Sequence, residues 1–133
     1  MSAEHRVFEF ASGGSSFHPL GEWRVTLDAR GACGMRHVAL GRATEYGPFA
    51  LTEEETGDLW GLIRAAGLDR LGSSTRPGVP DEPLCSFSLT EGARGHSVVI
   101  WRNDVGKDQR LGALVRRLGA LIEAYTGQVP ALT

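Results

Sequence analysis

The stretch EWRVTLD, residues 22–28, alternates strictly between polar and apolar side chains. Its apolar members are Trp23, Val25 and Leu27. Successive side chains of a β-strand point to opposite faces of the sheet, so this alternation predicts a strand with one buried and one solvated face. Strands of this kind are typical of antiparallel sheets that are covered on a single side.

Five further segments have strand character. They are short apolar or alternating runs bounded by turn residues, and they cover residues 6–10, 32–40, 46–51, 83–90 and 96–102. The turn sequences DARG (28–31) and EGARG (91–95) predict that two pairs of these strands are hairpins. Pro48 has no backbone N–H, so we expect the segment 46–51 to lie at an edge of the sheet.

Two segments have helical periodicity. The first begins at Thr52, where Glu55 completes a capping box, and it ends at Gly67. The second covers residues 108–126 and ends at Gly127. The apolar side chains at helical spacing are Leu59, Leu62, Ile63 and Ala66 in the first helix and Leu111, Leu114, Val115, Leu118, Ile122 and Tyr125 in the second. We expect each of these stripes to pack on the sheet.

The predicted element order is β-β-β-(β)-α-β-β-α. Runs of adjacent strands favour antiparallel pairing, with both helices packed on one face of the sheet. The sequence therefore predicts a two-layer α+β fold. A length of 133 residues fits one such domain over residues 1–133. The order of the strands within the sheet does not follow from the sequence.

The composition limits the classes of partner. Fourteen Lys and Arg residues stand against 16 Asp and Glu, and the net charge of −2 gives no electrostatic basis for binding nucleic acid. No apolar run approaches the ~20 residues of a membrane-spanning helix, and MSAEHRVFEF lacks the pattern of a signal peptide. We expect a cytoplasmic protein without a cofactor, whose cysteines stay reduced.

The glycine- and serine-rich stretch FASGGSSFHP, residues 10–19, raises the question of a phosphate-binding or catalytic loop. It lacks the lysine of a P-loop and the spacing of a nucleophile elbow, so it matches neither motif. We expect residues 11–21 to form a hairpin connection. The alternative interpretation is a partner-binding loop, whose candidate residues are Gly13, Gly14, Ser15, Ser16, Phe17 and His18.

Cys33 and His37 are four residues apart in CGMRH, a spacing that places both on one face of a strand. A zinc site needs further ligands, and no C-x2-C or H-x3-H pair occurs elsewhere in the chain. The sequence favours a buried cysteine and a histidine on the sheet, with no metal and no catalytic residues. A small enzyme or metal-binding protein that uses Cys33, His37 and Cys85 remains the alternative.

The segment 96–102 is apolar on both faces, because Val99 and Trp101 point to one face of the strand and Val98 and Ile100 to the other. Such a strand is either central and covered on both sides, or it carries an interaction surface.

Several motifs occur in an order that resembles the emfourin-like proteins, small bacterial cytoplasmic inhibitors of protealysin-type metalloproteases of the thermolysin family. These motifs are FASGGSSF, VTLD, LTEEETGDLWGLIRAAGLDRL and RPGVPDEPLCSFSLTEGARGHSVVIW. The resemblance covers residues 6–102. The chain departs from that pattern at residues 30–48, which look like an insertion, and in its long final helix. The segment MSAEHR also matches no inhibitory motif.

The resemblance implies an α+β fold and inhibition of a metalloprotease. We therefore expect a non-enzymatic protein-binding module, a protease inhibitor or regulatory partner protein that presents loops and an edge strand. A subunit of a bacterial defence or toxin–immunity assembly is a further alternative.

Overall fold

The computed structural model describes residues 5–13, 21–78, 82–130 and 132. These residues form an antiparallel sheet and three α-helices, which confirms the predicted α+β class. The strands are β1 (Arg6–Gly13), β2 (Glu22–Asp28), β3 (Ala32–Ala39), β4 (Arg42–Ala50), β5 (Leu84–Glu91) and β6 (Arg94–Trp101). The helices are α1 (Glu53–Ala66), α2 (Arg102–Lys107) and α3 (Gln109–Thr126), and a 3₁₀ turn at Leu68–Arg70 follows α1.

The six strands are arranged in the order β4-β3-β2-β1-β5-β6, and every neighbouring pair is antiparallel. Strand β1 is therefore interior, and its Phe10 lies opposite Val25 of β2 on one side and Phe87 of β5 on the other. Strands β4 and β6 form the two edges, as Pro48 predicts for β4.

One face of the sheet packs against α1 and α3. Its central side chains, among them Phe8, Phe10 and Val25, are fully buried and belong to one cluster with the apolar sides of the helices. Trp60 also belongs to this cluster: it is only 4% exposed, and its indole N–H donates to the Asp28 carbonyl at 3.1 Å. Leu62 is only half-buried.

The helix boundaries follow the predicted caps. Glu55 donates its N–H to the Thr52 hydroxyl at 3.1 Å, and its carboxylate accepts the Thr52 N–H at 3.0 Å. Gly67 ends α1 in the left-handed region at φ 64°, where a side chain would be strained. Asp108 caps α3 by accepting two backbone N–H groups.

The structure corrects the sequence predictions at several boundaries. The β5–β6 turn is two residues long rather than the predicted 91–95, because Glu91 and Arg94 are paired strand residues. Strand β1 continues to Gly13, so Ala11 and Ser12 belong to the strand rather than to a connection that starts at residue 11. Strand β4 begins at Arg42 instead of residue 46. The short helix α2 was not predicted; its six residues bury only Val105, too few apolar positions to give a helical period.

Candidate protein-binding site

The β6 edge of the sheet is covered by residues 73–78, which we call the strap. Ser74 donates its backbone N–H to the Val99 carbonyl at 2.9 Å, and the Ser73 hydroxyl accepts the Val99 N–H at 3.0 Å. The Ser74 hydroxyl accepts the Trp101 N–H at 3.1 Å. The strap thus satisfies outward backbone groups of an edge strand that would otherwise be open to pairing.

Arg76 fastens the strap. Its guanidinium lies 2.6 Å from a Glu82 carboxylate oxygen and 3.0 Å from an Asp104 carboxylate oxygen. Its backbone carbonyl accepts the Trp101 indole N–H at 3.0 Å, and Gly78 packs so closely on that ring that a Cβ would lie 2.5 Å from it. Strand β6 is therefore an edge strand, not a central one, and the strap covers Trp101 on the face that lacks helices.

The opposite edge, formed by β4, has no such cover in the part of the chain that the structure describes: β4 pairs with β3 alone. The two strands meet in a two-residue turn in which Leu40 and Gly41 both have positive φ, at 53° and 74°. This is the pattern of a type I′ turn, whose flanking residues, Ala39 and Arg42, form a hydrogen-bonded pair.

The turn determines which backbone groups of β4 face outward. Hydrogen-bonded and non-hydrogen-bonded pairs alternate along an antiparallel ladder, so Ala43 and Glu45 direct their N–H and C=O groups away from β3. The same alternation, counted from the two-residue turn of the β5–β6 hairpin, directs the N–H and C=O groups of Val99 and Trp101 away from β5. These are the residues that form hydrogen bonds with the strap, which supports the assignment for β4. Further along β4, Pro48 has no N–H to offer. The free pairing edge is therefore residues 42–46, which we call the open edge.

A row of residues across the sheet connects the open edge to the glycine- and serine-rich stretch. Gly13 lies opposite Glu22, Glu22 opposite Val38, and Val38 opposite Ala43. Gly21 also lies at this end, with φ 69° and a position at which a Cβ would be 2.2 Å from the Val38 carbonyl oxygen. Gly13 and Gly21, the described residues on either side of the connection between β1 and β2, thus both lie at the end of the sheet where the open edge begins.

Of the predicted partner-binding residues, the structure describes only Gly13, the last residue of β1. The others, Gly14, Ser15, Ser16, Phe17 and His18, lie outside the described residues, and their role stays a prediction. Ser12 is buried, lies 3.2 Å from the Cys85 sulfur and donates its hydroxyl to the Leu132 carbonyl at 3.3 Å. Its role in the core is structural.

An aromatic stack lies beside the open edge on the helix-covered face. The ring centroids of Trp23 and His37 are 4.3 Å apart with nearly parallel planes, and Tyr46 of β4 stacks on Trp23 at 5.8 Å. This stack fixes the position of Tyr46, the last residue of the open edge. On the other face, Arg36 of β3 forms an ion pair with Glu45 at 3.2 Å.

The alternative site made of Cys33, His37 and Cys85 is not assembled. Cys33 and His37 are four residues apart along β3, which corresponds to about 13 Å. Cys85 lies in the same cross-strand row as His37. Three strand spacings separate the two residues, which corresponds to about 14 Å. Ligands of one metal ion lie within a few ångströms of each other, so these residues cannot share one. Among the described residues, no group of three His, Cys, Asp or Glu side chains is arranged to hold a metal.

Both cysteines are buried free thiols. Burial raises the pKa of Cys33 to about 11, with a smaller contribution from the Glu55 carboxylate. Burial also raises the pKa of Cys85, although the Ser12 hydroxyl and Arg102 oppose that shift. A thiol with a raised pKa is protonated at neutral pH and is a poor nucleophile.

No protein family model matches the chain, and no curated protein matches it significantly. The resemblance to emfourin-like proteins therefore stays a prediction. Of the helices described, none combines the length and apolar character needed to cross a membrane.

Proposed function

We propose that this protein is a non-enzymatic protein-binding module that holds an extended segment of its partner against the open edge, residues 42–46. The observation that carries this proposal is the asymmetry of the sheet. The β6 edge is closed by three hydrogen bonds between β6 and the strap, whereas the described residues leave the outward groups of β4 unpaired. Exposed strand edges recruit a further strand through their main-chain groups.

The open edge offers both main-chain and side-chain recognition. The N–H and C=O groups of Ala43 and Glu45 provide four main-chain hydrogen-bonding groups for a partner strand. On the helix-covered face the partner meets Arg42, Thr44 and Tyr46, of which the first two are exposed. Main-chain pairing supplies affinity in this mode, and the flanking side chains supply specificity.

The resemblance to emfourin-like proteins supports a particular class of partner. A metalloprotease of the thermolysin type, in the cytoplasm, is the partner that we propose. The open edge would occupy the substrate cleft of the protease as an extended strand, with no reaction catalysed by the inhibitor itself.

The proposal is tested with a pair of substitutions at one position. Glu45→Pro removes the outward N–H and places a ring where the partner strand pairs, while every main-chain hydrogen bond to β3 is kept because the Glu45 amide points away from it. The ion pair with Arg36 is lost in Glu45→Pro and in its control alike. Glu45→Ala is the matched control, since it removes the side chain and keeps the N–H. We expect Glu45→Pro to weaken partner binding about tenfold or more relative to Glu45→Ala, the loss expected for at least one main-chain hydrogen bond and the pairing geometry.

The measurement is inhibition of a thermolysin-type metalloprotease by the purified protein, followed by binding of any partner isolated from the native host. Equal binding by Glu45→Pro and Glu45→Ala would contradict the role of the open edge. A partner that is not a protease but is still sensitive to Glu45→Pro, such as a toxin or an assembly subunit, would keep the open edge and replace the proposed partner class.

A further inference from the structure

A cavity of about 540 Å³ opens where the helical layer ends short of the β5–β6 hairpin. We call it the notch. Its aliphatic floor consists of Ile63 of α1, Leu68 of the 3₁₀ turn and Leu89 of β5. Ile63 and Leu68 are almost fully buried, so the floor is a rigid part of the core rather than a mobile surface.

The strand register explains why the notch has a polar rim. On the helix-covered face of the hairpin, Leu89 lies opposite His96, and the next row on that face is Glu91 opposite Arg94. Beyond Leu89 the helix-covered face therefore carries charged side chains. His96 is half-buried, and its Nε2 lies 3.3 Å from the Leu71 carbonyl oxygen, which fixes the imidazole at the rim.

Three arginines line the notch: Arg64, Arg70 and Arg94. Among the described residues, none of the three has a carboxylate within 4.0 Å, unlike Arg24, Arg36 and Arg76, each of which forms an ion pair.

Two carboxylates, Asp69 and Glu91, line the same cavity. The three arginines that line the cavity exceed these two carboxylates by one positive charge.

We propose that the notch binds a small aliphatic monocarboxylate. A guanidinium matches a carboxylate through two parallel N–H···O bonds, and the aliphatic floor removes an alkyl body from water. A single excess charge favours a monoanion over a multiply charged phosphate. The size of the cavity is in the range of small-molecule sites.

The notch is independent of the proposed function. It lies on the β6 side of the sheet, in the cross-strand row that contains Arg6, Glu91 and Arg94. The open edge lies on the β4 side, and it begins at the other end of the strands. Loss of either site leaves the other intact.

The test is a titration of the full chain with three probes, followed by NMR amide shifts and by calorimetry. Hexanoate carries both the charge and the alkyl body, hexanamide carries the body alone, and inorganic phosphate carries charge alone. We expect hexanoate to bind with a Kd of about 1 mM, ordinary for a ligand of about eight non-hydrogen atoms. Its shifts should centre on Leu89 and His96. Hexanamide and phosphate should each bind about tenfold more weakly or not at all.

Three variants assign the binding to the notch. Arg70→Gln and Arg94→Gln each remove one rim cation and should weaken hexanoate binding about three- to tenfold. Arg110→Gln removes an exposed arginine from the first turn of α3 and should leave binding unchanged. Melting curves identify any variant that has lost its fold. The comparison of hexanoate, hexanamide and phosphate on the wild-type protein tests the proposal even if a variant does not fold.

Several results would overturn the proposal. They are absence of saturable binding by hexanoate at about fifty times the expected Kd, equal binding of hexanamide, equal or tighter binding of phosphate, and shifts that centre outside the notch.

Discussion

Leu40 is the one residue other than glycine that has a positive φ in the described parts of the chain, at 53°. It occupies the first position of the type I′ turn between β3 and β4, where asparagine followed by glycine is the preferred pair. Holding an ordinary L-residue in the left-handed region costs about 1–2 kcal/mol. Leu40 is 65% exposed, so little packing offsets that cost. We expect Leu40→Asn to relieve most of the strain.

The matched control is Leu40→Ala, which removes the same leucine contacts but keeps a residue that is strained at this φ. We expect Leu40→Asn to be about 1 kcal/mol more stable than Leu40→Ala, because asparagine tolerates the left-handed region. The assay is urea unfolding followed by circular dichroism, with the two variants compared at equal m-value. Equal midpoints, or a lower midpoint for the asparagine variant, would refute the reasoning from backbone strain.

The glycine pair Gly21→Ala and Gly57→Ala should change stability in opposite directions, as urea unfolding will measure. At Gly21 a Cβ meets a β3 carbonyl oxygen at 2.2 Å and φ is 69°, so the alanine costs at least about 2 kcal/mol. At Gly57, inside α1 with open space around it, alanine gains about 0.5–1 kcal/mol; a loss at Gly57 would contradict the helix assignment. Tyr125 donates its hydroxyl to Glu55 at 2.6 Å, which is the largest cause of the lowered pKa of Glu55. A lowered pKa stabilises the fold above the ordinary carboxyl value of 4.5 and loses this effect as the pH falls through the lowered value. The stability advantage of the wild type over Tyr125→Phe should therefore shrink between neutral pH and about pH 3, and an unchanged difference in melting temperature would exclude this coupling. Cys33, with its pKa raised to about 11 by burial, should react with a disulfide reagent at about pH 8 at least about 100-fold more slowly in the native protein than in urea; equal rates would show that the thiol is accessible.

Elements with one buried and one exposed side were predictable from the sequence. Strand β2 has the predicted bounds, Glu22–Asp28, because its buried and exposed positions alternate without exception in its interior. Helix α1 begins after Thr52 because the capping box is a local arrangement of side chain and backbone. In both cases the local pattern and the tertiary packing require the same residues.

The open edge was not predictable, because there the local sequence pattern does not reflect the tertiary packing. Residues 42–45 are exposed on both faces of β4, so no alternation marks them as a strand. Their extended conformation follows from pairing with β3 through a turn that contains Leu40, a residue with no turn preference. The separation of Cys33, His37 and Cys85 depends on the strand order. That order includes a non-local pairing of β1 with β5, which no short-range pattern encodes.

The asymmetry between the two sheet edges has a consequence for self-association that depends on Arg76. Its guanidinium links the strap to two carboxylates, and Arg76→Ala removes both links. We expect amide exchange at Val99 and Trp101 to accelerate while exchange along β4 stays unchanged. Release of the strap gives the sheet a second open edge, and a sheet with two open edges can extend in both directions. We therefore expect concentration-dependent association of Arg76→Ala in sedimentation experiments. Arg36→Ala, which removes an exposed ion pair beside β4, should sediment as the wild type does. If Arg76→Ala also sediments as the wild type does, the strap is not what keeps the β6 edge from pairing.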